Sequence, residues 1–329
     1  MVERVLLLVN QSAGTGHRPA FATQLASRLK NSVGQVADLE VEVVGDHPAA
    51  RRTAREYLAA SRLSSALIVA GGGGTLRAVV EGVCDAGGKH LPGARRVRIG
   101  VLRMGSGNVV ARHLGVAGDP GEGIAGIAGS LLAGRTTPCS VIRCRVGMAG
   151  GAMEIRHAVT MCGLGQFGRS PGDLARWHRR FAGPRGRLAS LAGIERINQV
   201  EYLASAGGRM LASMVYAPNC ELMEVTFRGR TERFRLLAGA VMNLRVGGMP
   251  FDAGVGLDEA AVGVRLLPWG GKVRAWRLSH GERLSLAVLD RPSIEFFLDE
   301  DPELAYGSLS IEVAGTLAFV PGSASSVAA

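Results

Sequence analysis

The chain has 329 residues, 47% of them hydrophobic, with a formal net charge of +10. That length holds two domains with separate cores, and the composition excludes a disordered or fibrous chain. The charge rests on arginine, the lysines being Lys30, Lys89 and Lys272 alone; nucleotide phosphates, anionic lipid headgroups or nucleic acid are partners it suits, though a compositional bias toward arginine explains it equally well.

The first apolar run, Val5 to Val9, has the length of a buried strand and is too short for a signal peptide. It exits into Asn10-Gln11-Ser12-Ala13-Gly14-Thr15-Gly16. Helical patterns follow over 18–30 and 48–62. Leu67 to Ala70 then reads as a buried strand that runs into Gly71-Gly72-Gly73-Gly74-Thr75 and a helix over 75–86. Consecutive glycines let the backbone approach a polyanion without Cβ interference. The N–H groups that open the helix then point at phosphate oxygens with the helix dipole behind them.

A merely flexible turn would account for four glycines, so the next strand matters. Val97 to Leu102 runs into Gly105-Ser106-Gly107-Asn108 and a short helix over 107–114. In an open parallel sheet ligands sit outside the carboxyl ends of the strands, and three polar or glycine-rich exits there predict a nucleotide-sized polyanion. No Walker A spacing occurs in the sequence, and Gly14-Thr15-Gly16 lacks the third glycine of a dinucleotide fingerprint.

A helix over 121–132 ends this alternation, which predicts a parallel sheet covered on both faces. Beyond Arg135 the pattern changes to short strands over 140–146, 153–162, 210–216, 222–227, 233–243, 262–267, 284–289, 294–298 and 310–319. Their spacing predicts a β-sandwich or barrel-like second domain. The segment 173–181 interrupts it as a helix on which Arg176, Arg179 and Arg180 alternate with Trp177 and Phe181. Such a mixture suits an anionic membrane surface, and it also suits a solvated basic face. No nucleic-acid module accompanies it, so no nucleic-acid partner is expected. Cys84, Cys139, Cys144, Cys162 and Cys220 form no C-x-x-C pair, which predicts reduced, buried thiols in a cytoplasmic protein. No apolar stretch is long enough to span a bilayer, so membrane association is expected to be peripheral, at the inner face.

Together these segments resemble the diacylglycerol kinase catalytic family, which includes bacterial lipid kinases, sphingosine and ceramide kinases and, more distantly, NAD kinases. The opening N-P-x-[S/A]-G-x-G looks like residues 10–16, and G-G-D-G-T looks like Gly71 to Thr75. P-x-G-[T/S]-x-N-D-x-A-R is similar to residues 103–112, from Arg103 to Arg112. Asn243 to Pro250 with Leu257-Asp258-Glu259 is similar to the family's N-x-x-x-x-G-G and A-x-x-x-D-D-G region. Leu298-Asp299-Glu300-Asp301 looks like its D-G-E turn, with Val320-Pro321 in its closing strand.

The resemblance covers Val5 to Pro321 and implies an α/β plus β fold. A nucleotide-binding parallel-sheet domain (1–134) faces a β-sandwich-like lipid domain (135–304) across a cleft, a last strand (305–322) returns to the first domain, and 323–329 is a disordered tail. It implies ATP and Mg²⁺ as cofactors, a lipid substrate, Asp299 as general base, and Asp258 with Glu259 at the metal. The implied nucleotide contacts are Asn10, Ser12, Gly71 to Thr75, Arg103, Gly105, Ser106 and Asn108. A homodimer is compatible with this reading.

The departures from the family run in one direction. Gly73 and Val109 stand where the family has Asp, and Ser140, Phe167 and Gly263 near positions that are often acidic. Arg77 and Ala78 replace Asn-Glu, Ala260 the glycine of the metal-binding turn, and Glu300 the glycine of D-G-E. Each lost carboxylate removes a metal ligand, a water contact or a proton acceptor. One reading is therefore an active lipid kinase in which Arg103 or Arg77 supplies positive charge to the phosphates. The second is a pseudokinase that binds nucleotide or lipid without transfer. A third, a basic adaptor, predicts binding that collapses with salt and ignores ATP.

Overall fold

The computed structural model describes residues 2–13, 20–33, 38–60, 64–84, 97–104, 108–180, 207–245, 254–299 and 301–322, the side chains of Val33, Ala175 and 177–180 excepted. The amino-terminal lobe alternates β1 (Arg4–Asn10), α1 (Phe21–Val33), β2 (Asp38–Val44), α2 (His47–Ala60), β3 (Ser65–Gly71), α3 (Gly73–Val83), β4 (Val97–Arg103), α4 (Val109–His113) and α5 (Pro120–Leu132). All four strands pair in parallel, in the order β2-β1-β3-β4. Every residue of β3 is buried, as a central parallel strand covered on both faces requires. In α2 the buried Ala50, Ala54, Tyr57 and Leu58 form one stripe, and α2 packs against α3 while α1 packs against α5. Asp119 caps α5 by accepting from the amides of Gly121 and Glu122, with Pro120 at the first helical position.

The second lobe is antiparallel: β5 (Thr137–Gly147), β6 (Met153–Ala158), β7 (Met161–Leu164), α6 (Gly165–Arg180), a helix described over 207–215 (α7), β8 (Glu221–Phe227), β9 (Arg230–Met242), β10 (Ala261–Pro268), β11 (Arg274–Ser279), β12 (Arg283–Val288), β13 (Ser293–Leu298), β14 (Asp301–Tyr306) and β15 (Ser308–Phe319). Along β8 buried and half-buried residues alternate, as on a strand with one face on a core. β15 pairs antiparallel with β5 and β12, then its last residues Ala318 and Phe319 pair in parallel with Arg98 and Ile99 of β4. One sheet path thus runs from β14 to β2 through both lobes.

Several elements differ from the sequence pattern. The run 153–162 is two strands, broken where Val159 and Thr160 turn toward Asp299. The apolar run 210–216 is helical, because Met210 and Ser213 face inward while Leu211, Met214 and Val215 face out, a spacing of three to four rather than two. β2, β11 and β14 are further strands that the sequence reading did not include, although β2 (Asp-Leu-Glu-Val-Glu-Val-Val) alternates apolar and charged residues as a half-buried strand does.

Candidate active site between the lobes

The glycine run begins where β3 ends. Gly72 is the extended N-cap of α3, and the helix starts at Gly73. A Cβ at Gly71 would lie 2.6 Å from the Thr75 Cβ, so only glycine lets the strand turn this tightly into the helix. Asn10 ties the neighbouring strand to the same corner: its Nδ2 donates to Thr75 Oγ1 at 2.8 Å, and its Oδ1 accepts from the Ser12 amide at 2.9 Å. The Ser12 hydroxyl donates to Gly45 O at 2.8 Å. Asn10, Ser12 and Thr75 therefore shape the corner through their side chains, and the corner presents the first amides of α3, which have no partner within the helix.

Opposite this corner lies Asp299, 7% exposed, at the end of β13. Its Oδ2 accepts from the Val159 amide at 2.6 Å. Its Oδ1 accepts from the Thr160 amide at 2.7 Å, the Thr160 hydroxyl at 2.5 Å and the Met161 amide at 3.1 Å. Between the two sides is a cavity of about 140 Å³ lined by Gly71, Gly72, Gly73, Asn108, Thr160 and Asp299 among others. Asp299 (φ 48°) and Asn108 (φ 49°) both hold left-handed backbone, a conformation rare for residues with a Cβ and concentrated at functional sites. A side chain at Gly73 would project toward Asp299, its Cβ meeting nothing closer than the Asp299 carbonyl oxygen at 3.9 Å.

Behind the cavity Arg77 of α3 spans both lobes. Its Nε donates to His157 O at 3.1 Å; its Nη1 to Leu298 O at 3.3 Å and Asp301 Oδ2 at 3.2 Å; its Nη2 to Glu81 at 3.4 Å and to Glu303. Burial works to lower its pKa, and the hydrogen bond to Glu303 with the charges of Glu303, Glu81 and Asp301 overrides it, so the guanidinium stays charged. All five guanidinium N–H groups are engaged. The expectation that Arg77 supplies charge to phosphates is corrected on that ground: its charge is spent inside the protein. Burial pushes the Asp301 carboxyl up, against the opposing pull of Arg77.

The remaining expected residues fall in three groups. Arg103 ends β4 opposite Gly71 in register, half-buried, with its guanidinium directed toward Gly118 rather than lining the cavity. Gly105, Ser106, Phe181, Glu300 and the tail 323–329 lie outside the described residues. So do the side chains of Trp177, Arg179 and Arg180, whereas Arg176 is exposed on α6 and pairs with Asp173 at 2.5 Å and Glu295 at 3.7 Å. Sequence reasoning missed Thr160, whose hydroxyl touches Asp299, and His47, whose ring sits where a Cβ on Gly74 would be. Neither lies in a motif.

Asp258 and Glu259 do not line the cavity. Glu259 accepts from the Gly256 amide at 2.8 Å and pairs with Arg245 at 3.2 Å and Arg277 at 2.6 Å, and the Gly256 hydrogen bond with these two cations holds its carboxyl below its ordinary value. Among the described residues no three of His, Cys, Asp and Glu gather where they could hold a metal ion. Asp299 itself faces four donors. The described residues alone do not build a Mg²⁺ cage of protein carboxylates.

All five cysteines are buried thiols outside any disulfide, and among the described residues no helix is long and apolar enough to cross a membrane. Residues 4–144 match the model of the diacylglycerol kinase catalytic domain. No curated protein matches the sequence significantly. Among solved structures the chain is similar to a diacylglycerol kinase from Bacillus anthracis str. Sterne, at 14% identity over 97% of each chain with a TM-score of 0.57. Two further structures assigned to that kinase class from the same organism match at 16% identity over 97% of each chain, with TM-scores of 0.61 and 0.62. Yeast NADH kinase in complex with NADH is similar at 10% identity over 99% of this chain and 85% of that one, with a TM-score of 0.56. These likenesses show a kinase-type fold over nearly the whole chain.

Proposed function

From an amino-terminal lobe that matches the diacylglycerol kinase catalytic domain, in a chain with the diacylglycerol and NADH kinase fold, we propose an ATP-dependent lipid kinase that works in the cleft between its lobes. One observation carries this: the glycine corner, Asn108 and Asp299 line a single cavity although they come from both lobes and from opposite ends of the sequence. The cavity is smaller than the ~300–1,000 Å³ of a site that encloses a whole small ligand. It suits the transferred phosphoryl group, with the rest of the nucleotide and the lipid lying outside.

The amides at the α3 N-terminus bind the phosphates, aided by the helix dipole. Asp299 Oδ2, which accepts one hydrogen bond against the three on Oδ1, is the oxygen left to orient the lipid hydroxyl and take its proton. The hydroxyl oxygen bonds to the γ-phosphorus, the bond from that phosphorus to the bridging oxygen breaks, and ADP leaves. Arg176 and its neighbours on α6, with a lipid substrate and an anionic bilayer as partners, belong to the same proposal.

The four donors on Asp299 favour a second reading, nucleotide binding without transfer, because a carboxylate held this way also serves to fix the 159–161 turn. Radiolabel transfer from ATP, with and without Mg²⁺, to a panel of lipids in detergent micelles decides between them. A kinase yields labelled lipid that Asp299→Asn abolishes while ATP binding persists. Thermal unfolding run beside it separates loss of the turn from loss of the proton acceptor. Bound ATP with no labelled lipid across the panel sinks the transfer reading.

A further inference from the structure

Six large apolar residues exposed on the second lobe lie on α7, just after it, and in one adjoining turn, at a place that the proposed chemistry does not use. Leu211 (67% exposed), Met214 and Val215 (87%) project outward from α7, followed by Tyr216. Trp269, in the turn after β10, reaches this helix and donates its Nε1–H to Ser213 O at 3.0 Å and Met214 O at 3.2 Å. Val273 is exposed in the same turn, beside Lys272, which is exposed and makes no ion pair among the described residues. Monomeric soluble proteins rarely gather so many exposed apolar side chains on adjoining elements without a partner for them.

The patch backs onto the cleft. Met210, on the inner side of α7, packs with Leu267 and Met161 against the cluster of Phe167, Met242 and Phe297. Met161 also lines the cavity beside Asp299 and donates its amide to that carboxylate. One small core therefore has the candidate phosphoryl site on one side and the exposed apolar face on the other. Trp and Tyr carry apolar rings with a polar edge, the chemistry of side chains that settle at the headgroup level of a bilayer, and Lys272 with the net charge of +10 complements anionic headgroups.

We propose that α7 and the 269–273 turn dock on an anionic lipid bilayer, so that the cleft opens beside the membrane from which the acceptor is drawn. This rests on the lipid-kinase reading for its purpose, but its test does not use turnover. Vesicles of phosphatidylcholine with phosphatidylglycerol are sedimented with the full chain and with the double variant Leu211→Asp/Val215→Asp, in low and high salt. The parent chain is expected to co-sediment, less so at high salt, and the variant to bind at least about tenfold more weakly, since two exposed apolar contacts are lost.

ATP binding is followed in both. Equal binding by parent and variant, or none by the parent, overturns the proposal. So does a parent that is dimeric through this face while ignoring vesicles, which makes a second copy the occupant. If the first variant does not fold, Met214→Asp/Val273→Asp repeats the test on other positions of the patch. Vesicle binding lost in the variant with no lipid ever phosphorylated leaves the surface standing and removes the kinase. Phosphorylation of a micellar lipid with vesicle binding unchanged in the variant does the reverse.

Discussion

At the residue scale the informative position is Gly73. Its Cβ direction points across the cavity toward Asp299 and meets the Asp299 carbonyl oxygen only at ordinary van der Waals distance, so Gly73→Asp is expected to fold with little change in stability. Its effect is electrostatic. On the proposed reading, the described part of the native corner offers phosphates main-chain amides at the start of α3, which need no cation to make them attractive. A carboxylate placed there repels phosphate until a divalent ion bridges the two. ATP is therefore expected to bind the native chain with or without Mg²⁺, and Gly73→Asp only with it. Calorimetric titrations in Mg²⁺ and in chelator check this; metal-independent binding by the variant contradicts it. Gly71 and Gly74 differ, because Thr75 and His47 fill the places of their side chains.

At the scale of elements, Arg77 joins α3 to the strands that carry Asp299. Removing it takes the shared cation from Glu81, Glu303 and the part-exposed Asp301, although Arg51 still faces Glu81 at 3.3 Å and Arg156 faces Glu303 at 3.8 Å. Arg77→Met is expected to cost about 2–3 kcal/mol in denaturant unfolding, less than the loss of a sole partner because those two cations remain. A loss below 1 kcal/mol would mean that the lobes are held by the sheet alone. A second cluster ties β15 to β5 and β12: Glu312 accepts from Arg143 at 2.8 Å and Arg145 at 3.0 Å and faces Arg283 at 3.5 Å. Burial raises the Glu312 carboxyl, and the hydrogen bonds from Arg143 and Arg145 more than offset this, so it titrates below its ordinary 4.5. The depressed folded value means that its stabilisation is present above pH 4.5 and is lost as pH falls through the folded value. Melting temperatures are expected to drop across that acid window in the parent and less steeply in Glu312→Gln.

At the scale of the whole molecule the two lobes share β15, which is bonded to β5 and β12 in one lobe and to β4 in the other. A shared strand and the Arg77 clasp predict a single cooperative transition rather than two. The chain provides its own probes: Trp177, Trp269 and Trp276 all lie in the second lobe, whereas most of the described helix lies in the first. Tryptophan fluorescence and far-ultraviolet dichroism are expected to report coincident urea midpoints. Separate midpoints would show that the lobes fold independently and that the cleft has a hinge.

The sequence by itself determined the parallel lobe, because β3 is buried on both faces and reads as an unbroken apolar run, and it located the glycine corner at the exit of that strand. It carried a legible alternation at β2 that the reading passed over, showed only short mixed runs at β11 and β14, and misled at 210–216, where a short apolar run has no period long enough to tell helix from strand. Tertiary structure alone decided what the side chains do. Arg77 could be assigned to phosphate only until its five donors were seen to close on carboxylates and carbonyls from distant strands, and Asp299 acquired its partners only when β13 met the break between β6 and β7. Backbone pattern is local and survives in the order of residues, whereas the partners of a buried charge are fixed by which elements fold against it.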